Sequence, residues 1–140
     1  MMKIFFYGLF MDRALLTGKG LPPEALGPAV LPDYRIHIGE RATLVRSPSS
    51  RAYGIVMELS GDEARTLYAE PSVREYLPER VRVELLDSSE TVEADCYLLP
   101  AGAGLAGTNP AYAARLSELV GALGFDPAYV TEIASFGDGS

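Results

Sequence analysis

Cysteine, histidine and long apolar runs are all scarce in this chain, and each scarcity excludes something. A single cysteine, Cys96, rules out an intramolecular disulfide. One cysteine and one histidine, His37, cannot supply a Cys/His zinc site within one chain. No run approaches the roughly 20 apolar residues of a membrane span. Basic residues are outnumbered, 12 Lys and Arg against 19 Asp and Glu, and the formal charge of −7 disfavours a general electrostatic grip on phosphate backbones or anionic lipid. Neither nucleic acid nor a membrane is therefore expected as a partner. A phosphate-binding glycine loop is also missing. Gly102–Gly107 (GAGLAG) lacks the P-loop lysine and the GxGxxG spacing, and it reads as a flexible loop. HExxH and DxD pairs are absent, so no metal or other cofactor is expected.

What remains is an ordinary globular composition. The 140 residues are 48% hydrophobic and 22% charged, which fits one domain, residues 1–140, with a core of its own. Lys3 followed by the apolar run Ile4–Met11 imitates a secretion signal. The run is short and ends in Asp12-Arg13 without a small-residue cleavage site, so a cytoplasmic protein is expected.

Hydrophobic periodicity gives the elements. Lys3–Tyr7 reads as a buried strand ended by Gly8, and Asp12–Leu16 as one or two helical turns. Lys19–Pro32 holds four of the ten prolines and reads as an excursion. Tyr34–Ile38 and Ala42–Val45, separated by Gly39, and then Arg51–Leu59, read as strands. Ser60 with Glu63 forms the capping-box pattern of a helix whose apolar face is Ala64, Leu67 and Tyr68, and which Pro71 ends. Val81–Leu86 and Thr91–Leu99 alternate cleanly and predict an antiparallel hairpin. Asn109, Pro110 and Gly124 bracket a further helix, with Tyr112, Leu116, Leu119, Val120 and Leu123 on one face. The tail Gly137–Ser140 reads as frayed. Hairpins outnumber crossovers, so the class is α+β with a mixed or antiparallel sheet, open or curled into a barrel.

Few residues invite chemistry. His37 lies between isoleucines with no Cys or Ser nucleophile motif around it, and Cys96 alternates in phase with Val92 and Ala94, so both read as structural. Two stretches stand out. One is the turn Gly8–Met11 after the first strand, where a glycine lets backbone N–H groups converge on an anion or a carbonyl oxygen. Backbone donors are indifferent to their side chains, so Leu9, Phe10 and Met11 remain free to fill a core or line a pocket. The other is Leu67–Tyr76 (LYAEPSVREY), where a carboxylate, Glu70, meets a proline and an aromatic.

Taken in order, FFYGLFM, YRIHIGERATLV, AYGIVMELSGDEARTLYAE, YLPERVRVEL and ADCYLLP resemble the gamma-glutamylcyclotransferase-like (AIG2-like) superfamily over about Lys3 to Leu99. That resemblance implies a small β-barrel with flanking helices and a pocket at one end. It also implies an enzyme in which loop amides bind substrate carboxylate and carbonyl groups while a glutamate acts as acid and base. Tyr7, Gly8, Leu9, Phe10 and Met11 take the loop, Glu70 takes the glutamate, and Tyr76 and Tyr97 take aromatic positions near the pocket. The implied partner is a small γ-glutamyl amine or amide, cyclised by its own α-amino group to 5-oxoproline, and the implied Glu70 has a raised pKa. The chain departs from the family pattern in two places. Leu9 and Phe10 replace polar loop residues. Leu67 stands three residues before Glu70 and Pro71 follows it, so a slip of one helical residue, about 100°, turns Glu70 away and leaves Glu75 as the alternative base. A non-catalytic carboxylate-binding relative and an interaction protein without a small ligand are the other readings. The sequence leaves oligomeric state open.

Overall fold

β1 (Met2–Phe6) has no wet face in its second half: Ile4, Phe5 and Phe6 are all buried, as in a strand covered on both sides. The computed structural model describes residues 2–20, 24–70, 73–100 and 107–136. From β1 the chain passes through a single 3₁₀ turn (Leu9–Met11) into a short helix, α1 (Arg13–Gly18), capped by the Asp12 side chain. A long hairpin follows, β2 (Glu24–Ile38) and β3 (Ala42–Leu59). Then come α2 (Gly61–Tyr68), the hairpin β4 (Leu77–Leu85) and β5 (Thr91–Leu98), and the helices α3 (Pro110–Ala122) and α4 (Pro127–Ser135). The strands close into a barrel in the order β1-β3-β2-β4-β5. β1 meets β5 in parallel, and the other described pairs are antiparallel. The fold is therefore α+β with a mixed barrel. Among the described residues no helix is long and apolar enough to cross a membrane.

The second hairpin follows the alternation rule. Val81, Val83, Ala94 and Cys96 are buried, while Arg80, Arg82 and Glu84 face water. The Ser60 capping box forms in full. Ser60 Oγ accepts the Glu63 N–H at 3.1 Å, and Glu63 Oε1 accepts the Ser60 N–H at 2.8 Å.

Three expectations need correction. Glu24–Pro32 is no excursion but the first half of β2, paired along β3 from Glu58 to Arg51. Its prolines hid it. They fit because the ladder is irregular there, with register shifts at Ala25/Gly27 and Pro32/Tyr34 where Gly27 and Asp33 take positive φ (134° and 64°). For the same reason the expected separate strands Ala42–Val45 and Arg51–Leu59 are one strand. Residues 47–50 bulge opposite Asp33, whose carboxylate accepts the Ser49 N–H at 3.1 Å. In α3, Leu116 and Val120 are buried as expected, but Ala113 completes their face and Leu123 is 41% exposed. α4 was not anticipated as a separate helix. Its start is signalled by Asp126, which caps it, and by Pro127 in its first turn. The loop expected at Gly102–Gly107 lies outside the described residues except for Gly107, and the tail at Gly137–Ser140 lies outside them entirely.

Gly54, inside β3, has the least room for a side chain of the described glycines. A Cβ there would lie 2.2 Å from the Phe6 carbonyl oxygen and under 3.0 Å from the Phe5 ring, and a backbone oxygen cannot give way cheaply. Gly54→Ala is expected to destabilise the fold by about 3 kcal/mol in chemical denaturation. Gly18→Ala, with nothing within 4 Å, should be neutral or stabilise it by up to about 1 kcal/mol.

Candidate active site

A cavity of about 590 Å³ opens at the end of the barrel where β1 runs into its turn. Its wall is aromatic. Phe6 and Phe10 meet edge to face at 6.0 Å, Phe10 meets Tyr68 at 6.3 Å, and Tyr68 stacks flat on Tyr97 with centroids 3.6 Å apart. This gives the apolar residues of the turn their roles. Phe10 extends the wall and Leu9 lines the cavity, while Met11 does not reach it and sits in the core, 1% exposed. The turn's own hydrogen bonds use the N–H groups of Met11 and Asp12, so those of Gly8, Leu9 and Phe10 precede its internal bonding. The Tyr112 hydroxyl stands against this turn, beside the Leu9 amide. That hydroxyl also explains Gly8, whose φ of −112° any residue adopts: a Cβ at Gly8 would lie 2.6 Å from it.

Glu70 lines the cavity just past the end of α2, because the helix stops at Tyr68 and Ala69 caps it. A helical-register slip therefore does not govern its direction. Its backbone is held by a turn in which the N–H groups of Val73 and Arg74 donate to the Glu70 carbonyl at 3.0 and 2.9 Å. Pro71, expected to end the helix, lies outside the described residues. The Glu70 carboxylate accepts from Lys19 Nζ at both oxygens, 2.7 and 3.0 Å away, and both side chains are 35% exposed. Glu75 is not part of the cavity lining. It is 57% exposed and pairs with Arg41 at 3.2 Å.

The tyrosines are held through their hydroxyls. Tyr7 donates to the Tyr97 carbonyl at 2.6 Å, and Tyr76 donates to the Ala42 carbonyl at 2.6 Å. Burial raises the pKa values of Tyr7 and Tyr68 well above the ordinary phenol value and raises that of Tyr112 as well. Burial, with Tyr112 nearby, pushes Tyr76 up to about 12. At neutral pH these phenols are donors and not bases. Burial likewise pushes the Cys96 thiol up, and its side chain is fully enclosed, so it offers no thiolate nucleophile. His37 packs edge to face on Phe136 and is not part of the cavity lining.

Tyr7, Gly8, Leu9, Phe10, Glu70, Tyr76 and Tyr97 thus share one cavity, and Met11 does not. Sequence reasoning missed Lys19, Glu40, Arg41, Asn109 and Arg115, which also line it, and read Tyr112 only as part of a helix face. The Asn109 cap was the available clue for Tyr112. The Asn109 side chain accepts the Tyr112 N–H at 3.1 Å and donates to the Glu40 carbonyl at 3.2 Å, which sets the start of α3 against the cavity. No local pattern marks Lys19 or Arg115.

Residues 4–115 match the family described as gamma-glutamyl cyclotransferase, AIG2-like, and the chain belongs to that family. Among solved structures it is similar to one named gamma-glutamyl cyclotransferase, at 16% identity and a TM-score of 0.79, over 94% of this chain and 85% of that one. An uncharacterized protein from Homo sapiens is 17% identical, with a TM-score of 0.74 over the same shares, 94% and 85%. YkqA from Bacillus subtilis is 19% identical, with a TM-score of 0.78, over 98% of this chain and 54% of that one. At these identities the likeness is one of fold. No curated protein sequence matches the chain.

The raised Tyr76 pKa has a consequence for stability. A phenol that ionises near 10 when unfolded and about 12 when folded binds more protons in the folded state between those values, so stability falls as pH rises through that window. Tyr76→Phe should lose about 1 kcal/mol at neutral pH with its hydrogen bond to Ala42. Its denaturation free energy should then fall less steeply than that of the wild type between about pH 10 and about pH 12.

Proposed function

We propose that the chain is a cyclotransferase acting on a small γ-glutamyl amine or amide, releasing 5-oxoproline and the free amine. The observation that carries this reading is the meeting of Glu70 and the Gly8–Phe10 turn in one cavity of a chain that belongs to the cyclotransferase family. The charge at the site supports it. A chain of net charge −7 sets three cations, Lys19, Arg41 and Arg115, beside two carboxylates, Glu40 and Glu70, around one cavity. That mixture suits a ligand carrying both a carboxylate and an ammonium.

The chemistry follows from these groups. Glu70 takes a proton from the substrate's α-ammonium, and the freed amine attacks the γ-carbonyl already tethered to it, so little entropy remains to be lost. The new C–N bond closes the five-membered ring. The turn amides and the protonated Tyr112 hydroxyl are the donors available to the oxyanion that forms. Glu70 then returns a proton to the leaving nitrogen as the old amide C–N bond breaks. Phe10, Leu9, Leu15 and Val73 give the amine half an apolar surrounding.

The test is 5-oxoproline release from a panel of γ-glutamyl amides. Glu70→Gln is expected to lower kcat by about 10²–10⁴-fold. Release that survives this substitution would move the acid/base role to another group. Glutamate-like ligands that bind without any release would favour the carboxylate-binding relative.

A further inference from the structure

The carboxylate assigned as the base already holds an ammonium group. Lys19 Nζ reaches both Glu70 oxygens, and this contact joins two segments 51 residues apart. The Lys19 backbone is fixed, because it caps α1 and its N–H donates to the Leu16 and Thr17 carbonyls. Its four-carbon stem is the flexible part, and its head is a primary ammonium. The reaction proposed above needs that same pairing, a primary ammonium against Glu70, except that the ammonium belongs to the substrate. Two ammonium groups cannot share the seat without like-charge repulsion. Of the cavity's other cations, Arg41 is paired with Glu75.

We propose that Lys19 is a positioning residue that occupies the seat of the substrate's α-ammonium and yields it to a ligand that brings its own. The inference rests on the γ-glutamyl reading of the cavity. Through its contact with both oxygens Lys19 aims the Glu70 carboxylate. When the ligand arrives, one ion pair is exchanged for another. A deeply buried pair would resist this exchange, because breaking it strands a charge away from water. A pair that is one-third exposed does not, because the released ammonium is rehydrated. The exchange also selects. A ligand with carboxylates but no ammonium leaves Lys19 in place and never engages Glu70.

The test compares L-glutamate with glutarate, which has the same carbon chain and both carboxylates but no ammonium, by calorimetric titration of the full chain. Lys19→Met removes the resident ammonium. It should raise the preference for L-glutamate over glutarate up to about fivefold, the limit that a partly exposed ion pair sets. Any contact of Lys19 with the carboxylates cancels in this ratio. Lys19→Arg restores a cation and should return the ratio to that of the wild type. An unchanged ratio in Lys19→Met, an equal rise in Lys19→Arg, or no measurable L-glutamate binding by Lys19→Met would each overturn the proposal. The failures are separable. 5-Oxoproline release with an unmoved ratio keeps the enzyme and removes this role of Lys19. A raised ratio without release from any amide keeps the exchange and removes the reaction.

Discussion

The hydroxyl of Tyr7 pins the open end of the barrel. It donates to the Tyr97 carbonyl at the end of β5, and Thr43, at the start of β3, stands beside it. Thr43 Oγ1 in turn accepts the Leu99 N–H at 3.1 Å. Thr43 is 2% exposed, and no buried side-chain polar atom among the described residues lacks a partner. A satisfied polar chain in an apolar surround is stiff, because each group forfeits a costly bond if it moves. Here it ties β1, β3 and β5 together where β1 becomes the cavity turn. The geometry of Gly8–Phe10 therefore descends from the barrel and not from the turn itself.

The second constraint is the pressure of α3 on that turn. A Cβ at position 8 would lie 2.6 Å from the Tyr112 hydroxyl, which stands beside the Leu9 amide. Backbone donors and a phenol donor are thereby brought to one patch of the cavity wall. The stacked Tyr68 and Tyr97 rings join α2 to β5 beside it, so the helix that leads to Glu70 is registered against the barrel by aromatic contact. The cavity is a place where three independently held elements converge, which suits a reaction that depends more on positioning than on an exotic nucleophile.

Features set by near neighbours in the sequence were legible. The Ser60–Glu63 capping box, the β4–β5 hairpin and the Asn109-Pro110 start of α3 each depend on residues within a few positions of one another. Local chemistry decides them whatever the rest of the fold does. Glu24–Pro32 was misread because proline and glycine signal a break locally. Strand β3 holds that segment in a bulged ladder, and a bulge is the response to a partner strand, not a property of the segment. Glu70 was singled out by its position and lies on the cavity wall, but its direction was not legible, since the helical wheel used to judge it does not extend past Tyr68.

By itself, then, the amino-acid sequence determined most of the element types and buried faces, the acidic composition, and a short set of candidate residues of which seven line one cavity. Only the tertiary structure decided which of them meet. The barrel closure of β1 on β5, the placing of Tyr112 over Gly8, and the pairing of Lys19 with Glu70 link residues that are 91, 104 and 51 positions apart. No local pattern carries such contacts, because they form only when the whole hydrophobic core has fixed where each strand and helix lies.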